Sequence, residues 1–391
     1  MAIRAIVVER VLTPVEEIRD AVLLLEDDRI LAVGERDALT IPRGAQEFKA
    51  PNATLVPGFV DLHVHGAGGE DVMRATPEAL GIVARTLANR GTTSFVATTV
   101  TASPDVLCKS AAGIADLVGS QSGKARPTGL SAELLGIHFE GPFISPARRG
   151  VHPEKWIAKP SAELLRRMLD AARGEARILT LAPELPGALE LIEAGCSAGL
   201  VVSIGHTDAT YEQAATAIAR GARHAAHVFN AMRPFRHRDT GVIGAVLTFP
   251  EVMAELIADG VHVEAAAMKV LLKTKGAAGV TLVSDGTAAT GMPDGSYKLG
   301  DFDVKVTGGV VRSSEGKLAG SALTLDAALR NVVALGIPLT QAVQMLTLNP
   351  AKELGLEKRK GVIAPGADAD LVFLNCALQI ERVITGGIGL D

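Results

Sequence analysis

A repeated pattern between residues 55 and 290 limits the fold of this chain more than any other feature of its sequence. In each repeat a short aliphatic or β-branched run ends in a polar residue, and an amphipathic stretch rich in Ala and Leu follows most of these runs. The runs are FVDLHVH (59–65), TSFVATT (93–99), LLGIHFEG (134–141), ILTLAPE (178–184), LVVSIGH (200–206), HAAHVFN (224–230), VMAELIADG (252–260) and VTLVSDG (280–286). Strands that alternate with helices predict a parallel sheet. Eight repeats therefore predict an α/β fold, a (β/α)8 TIM-like barrel.

Both ends of the chain show a different pattern. Residues 1–54 and 361–386 contain alternating segments with turns at acidic or Gly-rich positions and no helix between them, which is typical of β-hairpins. We therefore predict a small β-sandwich domain formed by residues 1–54 and 355–391. A catalytic barrel of residues 55–354 would be inserted between the two parts, with a hairpin at 296–320 after the eighth run.

Composition excludes several classes of function. The net charge is −5 and no basic stripe is present, so we expect neither a nucleic-acid partner nor an anionic membrane. Cys108, Cys196 and Cys376 lie far apart and predict neither a disulfide framework nor a thiolate metal site. The chain shows no signal-peptide pattern and no apolar run of about 18 residues. We expect a cytoplasmic protein.

The polar residues at the run ends predict where the site lies, because the carboxyl ends of barrel strands form the active-site face. Most of them can bind a metal ion, and the set is His63, His65, Thr98, Thr99, Glu140, Glu184, His206, His227, Asp259 and Asp285. Glu140, His206 and His227 follow the third, fifth and sixth runs. One carboxylate and two imidazoles with an open fourth position form a common catalytic zinc shell, which lowers the pKa of a bound water toward about 7. The chain has no GxSxG segment and no cysteine at a run end, so a Ser or Cys nucleophile is disfavoured.

Three further residues complete this set. Asp285 ends the eighth run and is a candidate general base that would pass the proton of water to a leaving nitrogen, although it could instead cap the next segment. His63 and His65 are two positions apart, so their side chains project to the same side of a strand. They are either two further metal ligands or a pair of hydrogen-bonded structural histidines.

Nine segments, in their order and spacing, resemble the N-acetylglucosamine-6-phosphate deacetylase family of the amidohydrolase superfamily. The segments are HVHG, GIHFEGPF, APE, SIGHTDAT, HVFNAM, IADGVHV, VSDG, LAGSALTLD and LTLNPAKELGL. The resemblance covers roughly residues 50–372, and PGADADLV in the terminal domain also fits it. It implies a barrel of the metal-dependent amidohydrolase type. The implied reaction is hydrolysis of the 2-acetamido group of N-acetylglucosamine-6-phosphate, which gives glucosamine-6-phosphate and acetate.

The resemblance also implies roles for individual residues. Glu140, His206 and His227 match the metal ligands, Asp285 matches the acid/base, and His152 matches a histidine that contacts the sugar or polarises the acetyl carbonyl. The residues matched to the substrate site, at the phosphate, in the DGxH segment or in a closing loop, are Val151, His152, Asn230, Ala231, Arg238, Asp259, His262, Leu318, Ala319 and Gly320.

The number of metal ions and the assembled state also follow from the resemblance. The expected cofactor is a divalent metal, zinc, and family members vary at the first-run pair, so that His63 and His65 leave room for a second ion bridged by Glu140. Arg238 would reach the phosphate from the neighbouring subunit of a homodimer, although Arg233 or Arg236 could take its place.

Alternative functions stay open at this stage. N-acetylgalactosamine-6-phosphate deacetylation, or another cyclic amidohydrolase reaction, differs by one or two hydrogen bonds that motifs do not reveal. A non-catalytic sugar-phosphate sensor would be expected to lack a base such as Asp285. The fourth run ends in APE without a lysine, which argues against hydantoinases and dihydroorotases. We interpret His138 and His224 as supporting or structural residues.

Overall fold

The structure is a computed structural model that describes residues 3–121 and 129–390. The strands within these residues are β1 (Ile3–Leu12), β2 (Glu17–Glu26), β3 (Arg29–Glu35), β4 (Gln46–Pro57), β5 (Phe59–Val64), β6 (Gly66–Ala67), β7 (Glu70–Asp71), β8 (Thr92–Thr99), β9 (Glu133–Glu140), β10 (Ala176–Leu181), β11 (Val201–Ile204), β12 (His224–Ala225), β13 (Met253–Leu256), β14 (Val280–Leu282), β15 (Gly295–Leu299), β16 (Phe302–Thr307), β17 (Val310–Ser313), β18 (Leu371–Leu374) and β19 (Ile380–Ile384). The α-helices are α1 (Pro77–Ala88), α2 (Pro104–Gln121), α3 (Ala162–Ala172), α4 (Ala188–Ser197), α5 (Tyr211–Ala219), α6 (Gly241–Thr248), α7 (Ala265–Lys275), α8 (Leu325–Ala334), α9 (Leu339–Leu346) and α10 (Leu348–Glu353).

Eight parallel strands form the barrel in the spatial order β5, β8, β9, β10, β11, β12, β13 and β14. The first and last strands meet through a parallel bridge between Val64 and Gly286, and the carbonyl oxygen of Gly286 accepts a hydrogen bond of 2.7 Å from the backbone N–H of His65. All residues of β5 and β8 are buried, as expected for parallel strands that are covered on both faces. The predicted (β/α)8 barrel is confirmed.

Helix boundaries follow from local sequence. The Thr76 side chain accepts a hydrogen bond from the N–H of Ala79 at the start of α1, and Pro77 occupies the first turn. Thr210 and Gln213 form a reciprocal capping box at the start of α5. The buried face of α1 includes Leu80, at helical spacing from Val83 and Leu87, and it packs in the same apolar core as the barrel strands.

Strands from both chain ends form one six-stranded sheet in the order β19, β18, β4, β1, β2 and β3. Neighbouring strands are antiparallel except for β1 and β4, which run parallel. The prediction that both ends build one β region is therefore confirmed. The division at residues 54 and 355 stays a prediction, and β4 runs through the first of these positions without a break.

An inserted sheet follows the last barrel strand. The predicted hairpin at 296–320 forms three antiparallel strands, β15, β16 and β17, because Val310–Ser313 adds a third strand against β16. Its apolar residues pack in a small cluster with Val100, which follows β8, and with Ala319 in the LAG segment. The inserted sheet thus lies at the same end of the barrel as the carboxyl termini of the strands.

A buried ion cluster joins the terminal sheet to the barrel. The Lys360 side chain is only 1% exposed, and its Nζ lies 2.6 Å from Glu133 Oε2, 2.8 Å from Asp368 Oδ2 and 2.5 Å from Asp370 Oδ2. Arg359 also pairs with Glu133 and Asp368. Glu133 begins β9, whereas Asp370 immediately precedes β18, so the cluster ties together the two parts of the molecule.

We expect Lys360→Met to lower the free energy of unfolding by about 3–5 kcal/mol, because it leaves buried carboxylates with less compensating charge. Urea-induced unfolding followed by circular dichroism measures this loss. Lys298→Met is the matched control, since Lys298 pairs with Asp303 at 2.7 Å but both side chains are largely exposed. Its effect on the free energy of unfolding should stay below about 1 kcal/mol. Equal losses in the two variants would contradict a special stabilising role for the buried ion cluster.

Candidate active site

Six potential ligand or acid–base side chains converge at the carboxyl ends of the barrel strands. They are His63 and His65 at the end of β5, Glu140 as the last residue of β9, His206 after β11, His227 after β12 and Asp285 after β14. All six are buried. The structure therefore brings together the predicted metal ligands and the predicted base.

The Glu140 carboxylate lies at the centre of this cluster. Its Oε1 atom is 2.8 Å from His227 Nε2, 3.1 Å from His206 Nε2 and 3.4 Å from His63 Nε2. Its Oε2 atom is 3.3 Å from His65 Nε2. Donor atoms that share one ion through bonds of about 2.0–2.2 Å lie about 3 Å apart, which is the spacing found here.

In several of these histidines, the nitrogen that points away from Glu140 makes a hydrogen bond that determines which ring nitrogen carries the proton. His65 Nδ1 lies 3.0 Å from the backbone oxygen of Thr98, and His206 Nδ1 lies 2.9 Å from that of Arg148. A carbonyl oxygen can only accept, so both Nδ1 atoms carry a proton, and in the neutral ring it is the Nε2 atom that presents a lone pair toward Glu140. This arrangement is typical of metal-binding histidines.

Two further observations fit a divalent cation. His63 Nδ1 donates to Glu255 Oε2 at 2.9 Å, while its buried Nε2 atom has no hydrogen-bond partner. Asp285 Oδ1 lies 3.3 Å from His65 Nε2 and 3.7 Å from His63 Nε2, and so completes a second group of donors beside the first. Imidazole and carboxylate donors of this kind are the usual ligands of zinc.

The charges of the cluster favour a cation in the same way. Burial opposes the charge of Glu140, but the nearby histidines His63, His206 and His152 hold its pKa well below the usual range. Burial acts against a charged His65 as well, yet Asp285 and Glu140 raise its pKa to about 9. The two carboxylates thus stabilise positive charge at the centre of the site.

His152 differs from the other histidines of the site. Its Nδ1 atom accepts a hydrogen bond of 3.2 Å from the backbone N–H of Thr101, so its Nε2 atom carries the proton. That Nε2 atom lies 3.2 Å from Glu140 Oε2 and faces the cavity. His152 is therefore a hydrogen-bond donor at the site, whereas its neighbours are suited to ligation.

Left-handed backbone holds several of these side chains in place. The φ angles are +46° at His206, +29° at His227 and +48° at Asp285. Non-glycine residues in this region cost roughly 1–3 kcal/mol each and are frequent at functional sites. Here the strained residues are those that follow short strands and turn their side chains toward the mouth of the barrel.

A cavity of about 220 Å³ opens above the cluster. Of the residues predicted for the substrate, those that line it are Val151, His152, Asn230, Ala231, His262, Leu318 and Gly320. Ala319 is buried between its two lining neighbours, and Asp259 accepts a hydrogen bond of 2.7 Å from His262 Nδ1. Arg238 is exposed and is not among the residues that line the cavity.

Several contributions to the site were not predicted. Glu255 lies in the seventh run, and a charged residue inside a buried strand was the available signal. Thr101 contacts His152 Nδ1 through both its backbone N–H, at 3.2 Å, and its side-chain hydroxyl, at 2.8 Å, and a threonine just after the second run was the available signal. Leu299 and Phe302 of the inserted sheet also line the cavity. His138 lies deeper, bonded to Thr180 Oγ1 and the backbone of Leu62, which agrees with the interpretation as a structural residue.

The barrel and its mouth define a class of protein, the metal-dependent hydrolases that bind their ions at the carboxyl ends of (β/α)8 strands. The profile of the Amidohydrolase family matches residues 54–388, and the chain belongs to this family.

Individual relatives narrow the comparison. The chain is 38% identical over 347 residues to the N-acetylglucosamine-6-phosphate deacetylase of Lysinibacillus sphaericus, with 88% of this chain and 87% of that protein covered. It is 36% identical over 330 residues to the N-acetylgalactosamine-6-phosphate deacetylase of Escherichia coli O157:H7, with 84% and 85% covered. A solved structure of a variant N-acetyl-D-glucosamine-6-phosphate deacetylase from Mycobacterium smegmatis, in complex with N-acetyl-D-glucosamine-6-phosphate, has a TM-score of 0.91 at 37% identity and full coverage of both chains. Among the described residues, no helix has the length and apolar character needed to cross a bilayer.

We expect Glu140→Gln to keep the fold but to lower the number of zinc ions bound per chain, because a neutral amide offsets less of the charge of a cation. Elemental analysis after loading with excess Zn²⁺ measures the number of ions. Glu184→Gln is the control, since Glu184 also lies at a run end but contacts Thr207 and Asp208. Unchanged zinc in Glu140→Gln would show that the ion binds elsewhere.

Proposed function

We propose that this enzyme hydrolyses the acetamido group of N-acetylglucosamine-6-phosphate to glucosamine-6-phosphate and acetate. The observation that carries the proposal is the convergence of ligand-type imidazoles on Glu140, beside a carboxylate base and a histidine N–H, beneath a cavity of about 220 Å³. The names of the relatives support the choice of substrate.

In this proposal Glu140, His206 and His227 hold one divalent ion, which we propose to be zinc. His63 and His65, together with Asp285, would hold a second ion beside it. When bound, the metal supplies a Lewis acid that lowers the pKa of water and polarises a carbonyl oxygen.

Asp285 is the proposed general base. Burial opposes its charge, but the histidines around it, first among them His65, lower its pKa, so the group is ionised and can accept a proton at neutral pH. It takes one proton from the attacking water. It then delivers the same proton to the amine nitrogen of the sugar as the C–N bond breaks, so that the neutral amine leaves and Asp285 returns to its ionised state.

His152 is proposed to donate its Nε2–H to the oxygen of the acetyl carbonyl. Charge develops on this oxygen as water adds to the carbonyl carbon, and a donor fixed in position stabilises that charge. The bond from the Thr101 N–H to Nδ1 keeps the proton on the nitrogen that faces the cavity.

The phosphate of the substrate is proposed to lie near Asn230, Ala231 and His262, at the rim of the cavity. Arg238 is exposed on its own subunit, and we propose that in a homodimer it reaches the phosphate bound by the neighbouring chain. A cytoplasmic location is also proposed, since the three cysteines are free thiols, as a reducing compartment allows.

Acetate release tests the proposed function directly. We expect the highest kcat/KM for N-acetylglucosamine-6-phosphate, compared with N-acetylgalactosamine-6-phosphate and with unphosphorylated N-acetylglucosamine. Prolonged chelation should abolish turnover, and Zn²⁺ should restore it. A preference for the galacto sugar would favour the sister activity, and full activity in a demonstrably metal-free sample would exclude the mechanism.

Asp285→Asn in the same assay should lower kcat by at least about 100-fold with little change in KM, because an amide cannot accept the proton of water. The variant should keep its fold and its affinity for substrate. An unchanged kcat would assign the base to another group.

Arg238→Ala tests the phosphate contact. Loss of one partner of a desolvated charge pair costs roughly 2–5 kcal/mol, so kcat/KM for N-acetylglucosamine-6-phosphate should fall by about 30- to 5,000-fold. The effect on N-acetylglucosamine should be small. Arg236→Ala is the matched control, and an equal loss for both substrates in Arg238→Ala would indicate a structural role instead.

The neighbouring-subunit arrangement has its own test. Arg238→Ala and Asp285→Asn chains are each expected to be nearly inactive toward the phosphorylated substrate. When the two are mixed, a dimer with shared sites contains one site in which both groups are intact. Recovery of activity on mixing supports sharing between subunits, and no recovery in a confirmed mixed dimer contradicts it.

A further inference from the structure

Glu255 is a fully buried carboxylate behind the metal-ligand cluster. It lies in β13, and neither of its oxygens reaches the cavity above the cluster. Its Oε2 atom accepts two hydrogen bonds, one of 2.9 Å from His63 Nδ1 and one of 3.0 Å from the backbone N–H of His227. One oxygen atom thus contacts a residue from each of the two donor groups.

The two contacts act on different parts of their partners. On His63 the bond fixes the ring, because a carboxylate acceptor keeps the proton on Nδ1 and leaves Nε2 as a lone pair. On His227 the bond fixes the backbone, which has the left-handed φ of +29°. Both effects direct an Nε2 atom toward the same oxygen of Glu140.

The second oxygen of Glu255 is held from behind. Its Oε1 atom lies 2.9 Å from His224 Nε2, and His224 Nδ1 lies 2.7 Å from Glu353 Oε2. The carboxylate, the imidazole and the second carboxylate form a continuous line through the base of the barrel to α10. This line of contacts fixes the orientation of Glu255. In it His224 supports Glu255 and is itself held by Glu353.

We propose that Glu255 is the positioning residue that enables the His63 side of the cluster to bind a second cation. The proposal deepens the proposed function, since it rests on the two-ion arrangement of that site. Its charge increases the electron density at His63 Nε2, and its geometry aligns that atom with Glu140 and Asp285, at 3.4 Å and 3.7 Å. Loss of such an outer partner typically weakens metal binding about 10- to 100-fold.

Glu255→Gln is the test, because glutamine has nearly the same shape and its amide oxygen can still accept the two hydrogen bonds made to Oε2, while the negative charge is removed and an amide nitrogen faces His224 Nε2. We expect wild-type chains, stripped of metal and titrated with Zn²⁺ against a chelator of known affinity, to bind two ions. In Glu255→Gln the dissociation constant of the weaker ion should rise by at least about 10-fold. The stronger ion should be affected much less.

Two comparisons separate this role from a structural one. Asp61→Asn removes an equally buried carboxyl that contacts the backbone N–H of His63 but not its ring, and it should leave both zinc affinities unchanged. In a His63→Asn/His65→Asn background, which should bind about one ion, adding Glu255→Gln should have little further effect.

The outcomes are distinct. A wild-type chain that binds a single zinc ion, or a folded Glu255→Gln chain with both affinities unchanged, overturns the proposal. If the Gln variant does not fold in the metal-free state, Glu255→Asp replaces it. Aspartate keeps the charge but withdraws the carboxylate from His63, and unchanged zinc affinities would then overturn the proposal. Two ions bound with no acetate release from any substrate would refute the deacetylase function while leaving the role of Glu255 intact.

Discussion

The Glu140 carboxylate is a negative charge in a part of the barrel that water barely reaches, and an isolated charge there would be strongly destabilising. Its two oxygens are instead faced by imidazole nitrogens from several different strands. A barrel is suited to this task because the carboxyl ends of its strands surround one axis, so residues distant in sequence reach the same point. A carboxylate surrounded by imidazole lone pairs needs a cation among them, and the histidines at three separate strand ends are placed where they could hold one.

The surrounding structure sets the protonation pattern of these histidines. A ring with a backbone oxygen behind Nδ1 presents a lone pair to the centre, as His65 and His206 do. His152, which has a backbone N–H behind Nδ1, presents a proton. Residues of one type therefore have opposite roles within a few ångströms of Glu140. The difference comes from the groups behind each Nδ1 atom, which are a backbone oxygen for His65 and His206 and the N–H and hydroxyl of Thr101 for His152.

The alternation of apolar runs and helical stretches was sufficient to predict the barrel, because run length and periodicity are local properties of the sequence. The polar residue at each run end also predicted which side chains the structure brings together, among them Glu140, His206 and His227. What could not be read were contacts between distant positions, such as the Thr101 N–H on His152 and the Glu255 carboxylate on His63. The left-handed backbone of His227 and Asp285 was also beyond prediction, since sequence normally reserves that conformation for glycine. The role proposed for Arg238 requires a second chain, and the contacts of one chain do not define it.

Strand β9 has a paired carboxylate at each end, the partly buried Glu133 in the ion cluster with Lys360 and the buried Glu140 among the histidines. The two are separated by about 23 Å of extended chain, at about 3.3 Å per residue. A slip of one residue against β8 or β10 would turn every side chain of β9 to the opposite face of the sheet. Both charges would then lose their partners together. Because both ends of β9 depend on ion pairs, a misaligned strand would lose favourable electrostatic interactions at two places. The register that assembles the active site is therefore the same register that joins the terminal sheet to the barrel.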